Sequence, residues 1–124
     1  MIEWFVLLPL KILLNVIEDF HMQGIMAQMK QKAYWCEYHG KYTNDWVPVM
    51  LLHGVEWATI VSIPCMLVSW FDVSVWFIVV VVVMGLVHAY VDHLKANKFS
   101  INLIQDQAIH MVQLVAILLA YMVL

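Results

Sequence analysis

The chain has 124 residues, of which 65% are hydrophobic and only 12% charged, with a formal net charge of −3. That much apolar surface exceeds what a small water-soluble core can bury, which excludes a soluble single domain. The six basic residues are all lysines and form no dense patch, so nothing points to a nucleic-acid partner.

Four apolar segments are long enough to cross a hydrocarbon core, which takes roughly 20 residues at about 1.5 Å each. They predict one all-α domain over 1–124: an integral membrane bundle of four transmembrane helices, near 2–22, 47–71, 73–95 and 101–124, with a short cytoplasmic helix in the first loop. The first segment carries Glu3, lacks a basic n-region and shows no small-residue cleavage site, so it reads as a helix rather than a signal peptide. The loop that follows contains Ile25–Tyr38, where Ile25, Met26, Met29 and Ala33 can share one apolar face, as in a short helix continuing the first one or lying on the membrane surface. Asp45 can cap the second helix, with Pro48 in its first turn. A tight turn at Trp70-Phe71-Asp72 leads to the third, which Asp72 can cap. That helix contains the run from Ile78 to Val83, a strand signal in water. In lipid a lone segment must satisfy its own backbone hydrogen bonds, so the run reads as helix. Ser100 can cap the fourth. Pro9 and Pro64 lie inside helices and are expected to kink them, and Gly85 lets the third helix approach a neighbour closely.

Lys30, Lys32 and Lys41 fall in the first connection and Lys95 and Lys98 at the third, whereas the second has no basic residue. The positive-inside rule then places the first and third connections in the cytoplasm and both termini outside. Trp4, Trp46, Trp70 and Trp76 fall near the expected membrane interfaces. Cys36 and Cys65 occupy a loop and a membrane helix, so no disulfide is expected between them.

Ionisable residues inside membrane helices are costly and call for an explanation. Asn15 with Asp19, His88 with Asp92, and Asp106 with His110 are each four residues apart, and His53 with Glu56 three, so each pair shares a helical face. Measured from the predicted outer ends at about 1.5 Å per residue, Asp19, His53, His88, Asp92, His110 and Asp106 all lie roughly 21–28 Å along. Antiparallel helices thus bring them into one layer. Imidazoles and carboxylates are the ligands of zinc, iron and manganese, and helix bundles build such sites from inward-facing pairs. The candidate ligands are His53, His88, Asp92, Asp106 and His110, with Asp19 as ligand or orienting group, enough for one metal with a second shell of partners around it or for two metals; zinc is the first expectation, iron or manganese the next. A metal with an open position activates water, so hydrolysis is the expected chemistry, with Glu56 or Glu18 as general base.

Two other readings use the same residues. Buried His, Asp and Asn serve as hydrogen-bonding glue between helices, and they also line proton or ion paths. The nearly apolar outer half weighs against transport. Lesser features are the Cys36-x-x-His39 spacing in the loop, the polar Gln23, Gln105 and Gln107 near the cluster, and nine methionines that read as packing filler.

The stretches around these residues are Asn15-Val-Ile-Glu-Asp19-Phe-His-Met-Gln23, Leu51-Leu52-His53, His88-Ala-Tyr-Val-Asp92-His-Leu-Lys95 and Asp106-Gln-Ala-Ile-His110. In this order the chain resembles a family of small multi-helix membrane proteins from bacteria and their phages. The resemblance implies a multi-pass protein of the bacterial inner membrane, with a host membrane protein or a second copy as partner besides the lipid bilayer. It carries over no established activity. Where the family pattern opens on histidine this chain has Asn15, a poorer zinc ligand, which removes position 15 from the ligand set or favours a harder ion. The clustering of His and Asp is also similar in residue types to membrane-bound metal-dependent hydrolases.

Overall fold

A computed structural model describes residues 2–38 and 42–124. Among these the secondary structure is entirely helical: α1 (Ile2–Ile17), a π-helical turn (Glu18–Met22), α2 (Met26–Met29), α3 (Lys32–Tyr38), α4 (Trp46–Val68), α5 (Val75–Ala96) and α6 (Leu103–Val123). The valine run lies inside α5, as the lipid argument requires.

Three helices, α4, α5 and α6, are long and apolar enough to cross a membrane, rather than the four expected. The first segment falls short because its α-helical part stops at Ile17 and the chain continues in π-helical pitch. Sixteen residues of α-helix extend only about 24 Å, against roughly 30 Å of hydrocarbon. The expected single helix over Ile25–Tyr38 is two short ones separated at Lys30 and Gln31, and Gly24 turns into them with φ +51.

Three caps differ from expectation. Asp45 sits at the start of α4 but its side chain makes no cap bond. Ser74, not Asp72, caps α5: its hydroxyl accepts from Phe77 N at 3.1 Å. The connection uses left-handed backbone at Trp70 and Phe71 (φ 53 and 64), so α4 ends at Val68 and α5 begins only at Val75. Asn102 replaces Ser100 at α6, in a reciprocal capping box with Gln105.

In the bundle α4 packs most extensively on α5, α5 also on α6, and α1 against both α4 and α6. The half away from the lysines is closed by a core of Trp57, Val61, Cys65, Phe77, Val81, Leu114, Ile117 and Leu118. The outward faces are apolar; on α5 alone Ile78, Val79, Val82, Val83 and Leu86 are exposed, a surface suited to lipid rather than water. Lys11 is an exception in the apolar half. It is fully buried, and its ammonium donates to the Val61 carbonyl at 2.6 Å, three residues before Pro64.

The α4–α5 crossing is set by two glycines. A Cβ on Gly54 would collide with the Gly85 carbonyl oxygen and lie 2.9 Å from Ala89 Cβ; one on Gly85 would lie 2.9 Å from the Gly54 carbonyl oxygen. Gly85 permits the close approach expected of it, and Gly54 is its partner. With Ala58 and Ala89 four residues on, each helix carries the small-x-x-x-small spacing that lets backbones meet in lipid. His53 and His88 adjoin these small residues, so the crossing brings the two imidazoles together.

Candidate metal centre

The π-helical turn, α4, α5 and α6 contribute to one buried cluster. The α4–α5 crossing supplies His53 and His88. One turn beyond His88 on α5 comes Asp92, and α6 adds Asp106 and His110 one turn apart. All five are fully buried. The π-helical turn supplies Glu18 and Asp19, whose side chains are 1% and 4% exposed. Consecutive residues on an α-helix point about 100° apart, yet these two face the same imidazole. Glu18 stands at its Nδ1 and Asp19 at its Nε2, and π-helical turns recur at functional sites.

The Nε2 atoms of three imidazoles converge on two carboxylates. His53 Nε2 lies 3.2 Å from His88 Nε2, 3.2 Å from Asp92 Oδ2 and 3.6 Å from Asp19 Oδ1. His88 Nε2 is 3.7 Å from Asp19 Oδ1 and 3.8 Å from Asp92 Oδ1. His110 Nε2 is 3.3 Å from Asp92 Oδ1, 3.3 Å from Asp106 Oδ1 and 3.7 Å from Asp19 Oδ2. Charge-assisted hydrogen bonds have lengths of about 2.7–2.9 Å, and these separations exceed them, although the His53–His88 contact is within hydrogen-bond reach. They approach the edges of a coordination polyhedron instead: bonds of about 2.0–2.1 Å at tetrahedral angles put ligand atoms roughly 3.3–3.4 Å apart. Two sets of four residues offer ligand atoms all within 4.8 Å of one another: Asp19, His88, Asp92 and His110, and Glu18, Asp19, His53 and His88. This buried cluster could hold a metal ion.

Unmet valence in the cluster supports the fit. His110 Nε2, Asp92 Oδ1 and Asp106 Oδ1 are buried with no hydrogen-bond partner, a costly state for polar atoms away from water. The lysines and glutamines around them, by contrast, are hydrogen-bonded to the carboxylates. Lys30 donates to Asp92 Oδ2 at 2.5 Å and Lys95 to Asp106 Oδ2 at 2.7 Å. Gln107 donates to Asp19 Oδ2 at 2.9 Å and to Asp106 Oδ2 at 3.2 Å; Gln23 donates to Asp19 Oδ1 at 3.2 Å. Glu18 Oε1 stands 3.2 Å from His53 Nδ1 with no hydrogen bond between them, and His110 Nδ1 is 2.9 Å from Gln113 Oε1. Partners on the far nitrogen orient an imidazole for ligation. The His88 ring is held differently, packed against both Trp57 and His110 at ring-centroid distances of 4.1 Å, with those two rings 5.6 Å from each other.

Asn15 is not a converging ligand. It accepts from Trp57 Nε1 at 2.8 Å and donates to Gln107 Oε1 at 3.3 Å, joining α1 to α4 and α6. Glu56 is half-buried and stands outside both ligand sets. Gln105 serves its helix cap. His39 of the Cys36-x-x-His39 spacing lies outside the described residues, and no disulfide joins Cys36 to Cys65. Sequence reasoning missed Lys30, Trp57 and Gln113 as parts of the site. Gln113 and Trp57 had a signal, lying three and four residues beyond ligand candidates; Lys30 had none, since it comes from the loop. Replacing Trp57 by phenylalanine keeps the ring stack but leaves Asn15 Oδ1 without its donor. It is expected to lower stability by about 1–2 kcal/mol in detergent unfolding.

No family model matches this chain, and no curated protein or solved structure matches it either.

Proposed function

We propose that this is a multi-pass membrane protein that holds one divalent metal ion between His53, His88, His110, Asp19 and Asp92, with Asp106 at its edge. The observation that carries the reading is the convergence of three imidazole Nε2 atoms and two carboxylates at coordination-edge separations. Charge supports a single ion. Glu18, Asp19, Asp92 and Asp106 bring four negative charges, Lys30 and Lys95 two positive ones, and the remaining two match one divalent cation. The mixed nitrogen and oxygen donors suit zinc first, then iron or manganese.

Metal-dependent hydrolysis at the membrane surface is the chemistry this centre would supply, through a metal-activated water. Glu18 is then better placed to orient His53 than to take a proton from that water, and Glu56 is the remaining candidate base. The π-helical turn extends α1 along α4 and α6 as the fourth crossing element, with Lys11, Asn15 and Glu18 turned inward. The lysine-rich end is assigned to the cytoplasm of a bacterial cell, and membership of the phage and bacterial family above is part of the same proposal. Transport fits less well, because the core around Trp57, Val61, Phe77 and Ile117 closes the other half.

A second reading is favoured by the Lys30–Asp92 and Lys95–Asp106 ion pairs, which alone could make the cluster interhelical glue. Elemental analysis of the detergent-purified protein separates the two. Near one equivalent of metal in the wild type, lost in both His88→Ala and His110→Ala, is expected of the metal centre, and a hydrolase screen on the loaded protein would follow. Metal-free wild type with all three proteins folded would sink it and leave the glue reading.

A further inference from the structure

On the outer surface of α4 and α5 a groove of about 170 Å³ runs beside the cluster. Met50, Leu86 and Ala89 line its length, and Trp46, Tyr90 and His93 its lysine-rich end. Apart from His93 the lining is apolar or aromatic, and it opens on the face that would meet lipid. The end of the groove is different in kind. Trp46 stacks on His93 with ring centroids 4.9 Å apart, and His93 Nδ1 is 3.1 Å from Asn97 Nδ2. Asn97 Oδ1 in turn accepts from the Lys32 backbone N–H at 2.6 Å, which fixes Lys32 beside the end of α5. Lys98 follows Asn97 directly, and the charges of Lys98 and Lys32 both bear on His93. Both lysines are exposed and neither is engaged in the ion pairs of the cluster.

An apolar trough with an aromatic pair at its end and two exposed lysines near that end matches one ligand chemistry: a hydrocarbon chain joined to an anionic head. We propose that this groove binds an acidic phospholipid, with an acyl chain along Met50, Leu86 and Ala89 and the phosphate between Lys32 and Lys98. Paired lysines at a membrane surface attract anionic headgroups, and Trp and Tyr favour that level of the bilayer. This site does not depend on the metal reading, because none of its residues belongs to the ligand set.

The test is native mass spectrometry of the full chain released from detergent doped with phosphatidylglycerol or with phosphatidylcholine of the same chains. Phosphatidylglycerol is expected to be retained about tenfold more tightly. Lys32→Gln with Lys98→Gln should abolish that preference while leaving the helical circular dichroism unchanged, since both side chains are exposed. Leu86→Trp, which fills the groove from its lipid-facing wall, should weaken retention of both lipids. Equal retention of the two lipids by the wild type, or a preference that survives the double lysine substitution, would overturn the proposal. So would full displacement by millimolar inorganic phosphate together with no effect of Leu86→Trp, an outcome that would assign the lysines to free phosphate.

Discussion

Gly54→Ala is expected to destabilise the bundle by on the order of 3 kcal/mol, the upper part of the range for overpacking a close contact. The added methyl would meet the Gly85 carbonyl oxygen and the Ala89 Cβ and N, two backbone atoms and a methyl carbon with no rotamer to escape into. The helices must therefore separate, and α4 and α5 form the largest packing surface in the molecule. Separation also pulls His53 Nε2 away from His88 Nε2, now 3.2 Å apart, so metal occupancy should fall with stability. Gly85→Ala should have a smaller effect, because its added carbon would come no nearer than 2.9 Å. The measurement is reversible unfolding in mixed detergent for the three proteins. Wild-type stability in Gly54→Ala, within about 0.5 kcal/mol, would mean that the helices do not cross as closely as described.

The second large effect is expected at Asp92. This carboxylate neutralises Lys30, lies near His53 and His110, and is fully buried. Removing it in Asp92→Ala leaves a buried ammonium without its partner, which typically costs about 3–5 kcal/mol. Lys30→Met should cost less, since it removes the charge along with the bond and Asp92 retains the imidazoles. Combined, the two substitutions should be milder than their sum by about 2 kcal/mol or more, the sign of a directly coupled buried pair. Measuring the cycle with a chelator present removes any contribution of bound metal. Additive effects would show that Lys30 is solvated and that the short α2 does not close over the cluster.

Much of the architecture was legible because lipid leaves a chain few choices. Once a segment such as Val75–Ala96 is long and apolar, its backbone can only be helical, so the valine run misled no one. The layer of His and Asp was legible for a related reason: helical rise is constant, so counting residues from the helix ends gives depth. The structure indeed brings His53, His88, Asp92, Asp106, His110 and Asp19 together. Caps and ends were less legible. Asp72, Ser74, Ser100 and Asn102 are all competent caps, and the choice among them depends on where the turn before each helix lets the chain enter.

The departures share one physical cause. Sequence spacing assumes ideal α-helical pitch and neighbours on the same helix, while this site depends on a change of pitch and on distant contacts. The π-helical turn that puts both Glu18 and Asp19 against His53 shortens α1, and no residue pattern at 18–22 announced it. Lys30 reaches Asp92 across 62 positions from a loop whose lysines signalled only topology. Trp57 meets Asn15 and His88 because two glycines set the distance between α4 and α5. By itself, then, the amino-acid sequence determined what the bilayer dictates: helices, their approximate bounds, and the shared depth of the costly polar groups. Which atoms face one another, which carboxylates are already neutralised by lysine and which buried valences stay unmet were decided only by the tertiary packing, because hydrogen bonds and coordination depend on sub-ångström separations that residue spacing does not encode.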